Sequence, residues 1–191
     1  MVKNLLKACF MMAALTAAGQ AAAETYTVGS GGTYRPFEFE NSQKQLEGFD
    51  IDIIKAIAKA EGFDVKLVNT PWEGICATLN TGDRDIIISG ITITDKRKQM
   101  VDFSAPYFPA EQSIVVAQDS QVDSLAALKN EKVGVVNSST GDIVVSEVLG
   151  KNSTSIKRFD NTPLMLQELF EDGVSAAVGD VGVVKYYKIG R

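Results

Sequence analysis

The chain reads as an α/β protein built from short strands that alternate with helices. Two observations point there. Short, β-branched runs recur, such as residues 65–68, 112–117 and 174–178. Between them lie stretches whose apolar residues repeat every three or four positions, the period of a helix face. Strands that alternate with helices build layered α/β sheets.

Taken in order, residues 25–28 form a short strand that runs into a loop over 29–34. Apolar residues at 49, 53, 54, 57 and 58 mark a helix over 49–60, ended by Gly62. A strand follows at 65–68, a helix at 72–79 closed by Gly82, and a strand at 85–89. After Pro109, residues 112–117 are apolar and β-branched at their centre. A second unit then begins with a brief helix at 125–128, a strand at 132–136 and a turn at 138–141 that opens a helix over 142–149. Residues 154–159 are strand-like. A helix over 162–170 has Thr162 as its cap and Pro163 at its first position. A strand from 174 ends at Asp180, and a helix covers 181–187. No repeat, low-complexity tract or flexible linker interrupts the pattern. The junction at 111–119 is itself strand-like, which suits a hinge between two lobes.

The amino-terminal residues have the form of a secretory leader. Lys3 and Lys7 precede an apolar stretch over 8–18, and Ala21-Ala22-Ala23 precedes Glu24. That stretch is shorter than the roughly 20 residues a membrane helix needs. Cleavage after Ala23 and export as a soluble protein are therefore expected. The whole chain has 19 basic and 24 acidic residues, a net charge of −5, and loss of Lys3 and Lys7 makes the remainder more acidic. Nucleic-acid binding needs a basic footprint, so that class is excluded. Cleavage also removes Cys9. Cys76 is then alone, without a disulfide partner, and is read as a small apolar residue buried on a helix face. The chain contains no His, which excludes Ser–His and Cys–His nucleophiles and imidazole-rich zinc sites. Enzymes that work with carboxylates stay open.

The most informative run is SGITITDKRKQMVDFSAPY, residues 89–107. A strand that stops in Ser-Gly-Ile-Thr delivers backbone N–H groups and a hydroxyl to one point. Arg97 adds a planar fork that matches a carboxylate. This is chemistry for holding a small carboxylate rather than breaking it. Ser138–Gly141 opens a helix, where free N–H groups attract anions. Asp180 stands at the carboxyl end of a strand, where open α/β sheets place ligands. Each residue also has an ordinary reading. Arg97 could be one charge of an exposed run, Asp180 a helix cap, Tyr34 loop filling, and Trp72 core. Asp50 and Asp52 are read as a structural pair on the polar side of a helix opening. Lys132, Lys157 and Arg158 are read as solvated charges.

Five segments together carry a resemblance. They are Thr33–Phe39, Gly48–Ile53, Pro71–Gly74, Thr92–Arg97 and Asp102–Tyr107, and with them the chain over 25–187 resembles the periplasmic polar amino-acid-binding proteins of ABC importers, extracellular solute-binding family 3. The resemblance implies a two-lobe periplasmic binding protein fold of type II with a ligand cleft between the lobes. Lobe 1 would span 24–112 and lobe 2 113–191, after a signal peptide over 1–23. It implies that Gly90, Thr92 and Arg97 hold the α-groups of an amino acid, that Tyr34 and Trp72 line its side-chain pocket, that Thr140 and Gly141 offer a hydroxyl and amides to its carboxylate, and that Asp180 pairs with its ammonium. No catalytic residue, metal or cofactor is implied. The protein would work as a periplasmic monomer that hands its ligand to an inner-membrane ABC permease.

Some positions depart from the family pattern. Gly31 stands where members that bind cationic amino acids often carry Asp, Gly179 precedes Asp180, and Asn137 replaces a basic residue found in some members. These departures favour a neutral polar ligand such as glutamine or a cystine-like amino acid. Family members also continue past the equivalent of Arg191 and return to lobe 1, so the expected fold lacks that return segment. Two alternatives stay open. One is an enzyme resembling cyclohexadienyl dehydratases, with Glu38 or Glu73 as its acid, two residues otherwise read as surface residues. The other is a truncated, non-functional remnant.

Overall fold

A computed structural model describes residues 23–189 of the chain; residues 1–22, nearly all of the leader expected over 1–23, and the last two residues lie outside the described residues. The first unit comprises β1 (Thr25–Ser30), β2 (Thr33–Tyr34), β3 (Glu38–Glu40), β4 (Leu46–Glu47), α1 (Phe49–Glu61), β5 (Asp64–Asn69), α2 (Ala77–Asn80), β6 (Ile86–Ile87) and α3 (Asp95–Lys98). The second comprises β7 (Gln112–Val116), a 3-10 helix (Ala126–Asn130), β8 (Val133–Val136), α4 (Thr140–Leu149), β9 (Ile156–Phe159), α5 (Thr162–Phe170), β10 (Ala176–Asp180) and α6 (Val181–Ile189).

Strands β5, β1 and β6 lie side by side in parallel. Helix α1 covers this sheet because Ile51, Ile54 and Ala58 recur at helical spacing and are buried. Ile54 meets Val28 of β1 and Ile88 after β6. Burying a side chain of this size is worth about 1.5–3 kcal/mol. In the second sheet the order is β7-β10-β8-β9. Strand β10 sits in the interior, parallel to β8 and antiparallel to β7. Its residues alternate between two cores, as the period of two requires. Ala176 and Val178 join Val145 of α4; Ala177 joins Met165 and Leu169 of α5. A strand covered on both faces must be apolar throughout, and Ala176–Val178 is.

The fold departs from the sequence expectations in several places. The loop expected at 29–34 leads into the small antiparallel sheet β2-β3-β4, whose strands of two or three residues are too short to show a period. The helix expected over 72–79 is helical only in α2. Before it, Ile75, Ala77 and Thr78 donate to the carbonyls of Trp72, Gly74 and Ile75, so the chain advances by three-residue turns. Cys76 precedes α2 and is half-buried rather than buried. Helix α4 starts at Thr140 with Ser139 as its cap, Ser139 Oγ accepting from Asp142 N–H at 3.1 Å. Asn161, not Thr162, caps α5: its Oδ1 accepts from Leu164 N–H at 3.0 Å. Arg158 is no solvated charge, since its Nε donates to both carboxylate oxygens of Asp142 at 3.0 Å. Lys157 pairs with Glu168.

Candidate functional site

The carboxyl ends of β1, β6, β8 and β10 converge on one cavity of about 260 Å³ between the two sheets. Cavities at the carboxyl ends of parallel strands follow from topology, since connecting loops splay apart there. From the first unit the lining includes Tyr34 on β2, Trp72 after β5, Gly90 and Thr92 after β6, and Arg97 on α3. From the second it includes Thr140 at the start of α4 and Asp180 at the end of β10. Seven of the eight residues singled out in the sequence thus share one lining. Gly141 does not. It is buried behind Thr140, where a Cβ would lie 2.7 Å from Val178 O, so its lack of a side chain lets α4 sit against β10.

Three hydrogen bonds cross the cleft. The Tyr34 hydroxyl donates to Asp180 Oδ2. Trp72 Nε1 donates to Asn137 O at 2.9 Å, and Arg97 Nη2 donates to Ser138 O at 3.2 Å. Arg97 is oriented from its own side as well. Nη1 donates to Thr92 O at 2.9 Å, and its Cζ lies 5.1 Å from the Trp72 ring centre, within reach of a cation–π contact. Thr94 Oγ1 accepts from Arg97 N–H at 3.2 Å and caps α3. Gly90 has φ 55, a left-handed conformation, and a Cβ there would meet the Tyr34 ring at 2.8 Å. Glycine is required at that point on both counts.

The cavity lining carries groups of both charge signs, Arg97 and Asp180 among them. Burial lowers the pKa of Arg97, although it remains a cation. Burial raises the pKa of Asp180, while hydrogen bonds from Tyr34 and Gln112 and the charge of Arg97 act against the rise. Burial and the nearby Asp180 push the Tyr34 phenol well above its ordinary range, so it stays a donor. Among the described residues no cluster of His, Cys, Asp or Glu could hold a metal.

Several contributors escaped the sequence reading. Gln112 Nε2 donates to Asp180 Oδ1 at 2.6 Å and to Thr140 Oγ1 at 3.0 Å, holding two cleft groups in place. Its partner Asp180 lies opposite it in the β7–β10 ladder, a pairing no local pattern announces. Glu38, read as a surface residue, is 1% exposed. Asp50 is fully buried and accepts from Gly90 N–H at 2.7 Å; only Asp52 of that pair is exposed. Glu73 is exposed and outside the cavity lining. Asn69, Thr70, Asp160 and Asn161 also line the cavity.

Comparison with known proteins places these features in a family. Residues 26–178 match the bacterial extracellular solute-binding proteins, family 3. A probable histidine-binding protein of Neisseria gonorrhoeae is 43% identical over 165 residues, 86% of this chain and 62% of that protein. An ancestral arginine-binding protein, solved bound to glutamine, is 42% identical with a TM-score of 0.79, covering 85% of this chain and 72% of that one. The arginine-, lysine-, histidine-binding protein ArtJ of Geobacillus stearothermophilus is 39% identical with a TM-score of 0.82, covering 86% and 70%. The chain thus spans about 62% of the length of the Neisseria relative. With a two-lobe type II architecture and a cleft between its sheets, the chain belongs to the bacterial extracellular solute-binding proteins, family 3.

Proposed function

We propose that the protein captures an L-α-amino acid in the periplasm and delivers it to an ABC permease, with lobe 1 over 24–112, lobe 2 over 113–191 and a cleaved signal peptide over 1–23. One observation carries the reading: Arg97 on α3 of the first unit and Asp180 on β10 of the second, of opposite charge, line a single cavity of about 260 Å³. Arg97, with Gly90 and Thr92, takes the α-carboxylate; Thr140 adds a hydroxyl from lobe 2, and Asp180 takes the ammonium. Tyr34 and Trp72 flank the ligand side chain. Binding groups divided between lobes stabilise the closed arrangement only when ligand is held, which is the signal a permease can read. The protein acts as a monomer without metal or cofactor.

Asn69, Thr70 and Asn161 in the cavity lining suit a neutral polar side chain of the glutamine or cystine kind, and the ancestral relative was solved with glutamine. A second reading is a cationic ligand. It is favoured by Asp160, an exposed carboxylate in the cavity lining, and by relatives named for histidine, arginine and lysine.

A thermal melt against each of the twenty amino acids and cystine tests both. Ligand at about a hundred times its Kd adds roughly 2.7 kcal/mol of stability. An upward shift with glutamine or cystine supports the first reading and one with arginine, lysine or histidine the second, whereas no shift with any of them overturns the binding function. Turnover of arogenate or prephenate would replace it with the dehydratase reading.

A further inference from the structure

At the wall of the cleft, whose lining includes Glu38, two buried carboxyl groups come together. Glu38 reaches in from β3 and Asp50 from the first turn of α1, exposed by 1% and 0%. Each has one oxygen accounted for. Ser89 Oγ donates to Glu38 Oε1 at 2.8 Å and accepts from Gly31 N–H at 3.0 Å. Gly90 N–H donates to Asp50 Oδ2 at 2.7 Å. The other two oxygens, Glu38 Oε2 and Asp50 Oδ1, are buried and meet no donor at hydrogen-bond geometry. No ion pair of the described residues reaches either group.

Two buried, charged carboxylates side by side carry a large desolvation and repulsion cost. A single proton shared by the two groups lowers both costs and leaves one net charge. We propose that Glu38 and Asp50 share one proton, and that this acid–carboxylate pair positions the Gly31 and Ser89–Gly90 backbone that lines the cleft.

The surroundings assign the proton to Glu38. Asp50 has the N–H of Gly90 and the positive end of α1, both of which favour its ionised form. The other titratable groups facing the pair are the Tyr34 and Tyr107 phenols and Asp180, none of them cationic. Burial and the charge of Asp50 raise the pKa of Glu38 well above the ordinary carboxylate range. Burial also raises that of Asp50, against the Gly90 N–H and the neighbouring Tyr107 hydroxyl and Glu38 carboxyl. Because the raised pKa belongs to an acid, its contribution to stability is full at low pH. It is lost as pH rises through the folded-state value.

The proton is tested without any ligand. Infrared spectroscopy of the protein at about pH 7 should show the C=O stretch of a buried protonated carboxyl, absent from Glu38→Gln. The amide of E38Q still donates to Asp50 but cannot titrate. Its Tm relative to the native protein should therefore shift upward as pH rises from about 5 to about 8. A native protein without the band, a band that survives in E38Q, or a Tm difference that stays constant with pH overturns the proposal. The infrared result stands on the native protein alone should the variant fail to fold. The effect on the cleft rests on the amino-acid reading above: relative to E38Q, the affinity of native protein that binds should fall as pH rises over the same range. A native protein with the band that binds no amino acid would refute that reading and leave the shared proton standing.

Discussion

Replacing Gln112 by Leu keeps the size of the side chain and removes its amide. The native Nε2 holds a carboxylate oxygen of Asp180 at 2.6 Å and the Thr140 hydroxyl at 3.0 Å. A hydrogen bond to a charged group contributes about 1.5–3 kcal/mol, and one between neutral groups about 1 kcal/mol. Leu also removes Gln112 Oε1, which is buried without a partner, and that relief offsets part of the loss. The net expectation is about 1.5–3 kcal/mol of binding, or roughly a 10- to 150-fold rise in Kd. The variant also loses one of the hydrogen bonds that oppose the rise in the Asp180 pKa, so Asp180 takes up a proton more readily. Only the ionised carboxylate attracts an ammonium strongly, so the affinity deficit should widen as pH falls from about 8 to about 5. Isothermal titration of glutamine, arginine and histidine at the two pH values, with circular dichroism to confirm folding, measures this. A folded Q112L protein with native affinity at both pH values would refute the idea that Gln112 positions Asp180.

Three further outcomes follow from the geometry. Arg97→Ala removes the cation of the cleft together with its bonds to Thr92 O and Ser138 O. It should cost about 2–5 kcal/mol of binding with little change in Tm, and equal calorimetric affinity would dismiss Arg97 as a ligand group. Gly141→Ala places a Cβ 2.7 Å from Val178 O and should lower stability by about 1–3 kcal/mol in urea titration; a Tm equal to the native protein's would show that α4 shifts freely. Burial acts to raise the pKa of Asp142, but hydrogen bonds from Arg158, Ser138 and Ser146 outweigh it and the pKa is lowered. Its contribution to stability is therefore present above the ordinary carboxylate range and is lost as pH falls through the lowered value. Arg158→Ala should flatten that acid limb of the stability curve, and an unchanged limb in urea titrations would assign the acid sensitivity elsewhere.

Local chemistry alone determined much of this protein. The stripe of α1, the β-branched runs of β5 and β7, and the run from Gly90 to Arg97 depend on residues close in sequence. Their dihedral preferences and side-chain periods act over a few positions, so they are legible before any fold is known. The same holds for Asp180, whose place at a strand end already marked it. Tertiary structure decided what depends on register between distant segments. Glu38 reads as a surface residue until β3 brings it to Ser89, 51 positions away. Asp50 looks like a favourable charge at a helix start until the chain returns Gly90 to it, 40 positions on. Gln112 is one polar residue at the edge of a strand until β10 pairs with β7 and sets Asp180, 68 positions later, against its amide. Gly141 gains a second reason for its lack of a side chain, since α4 sits against β10 there and a Cβ would meet Val178 O at 2.7 Å. Burial of a polar group is a property of its neighbours in space, and only the folded chain supplies them.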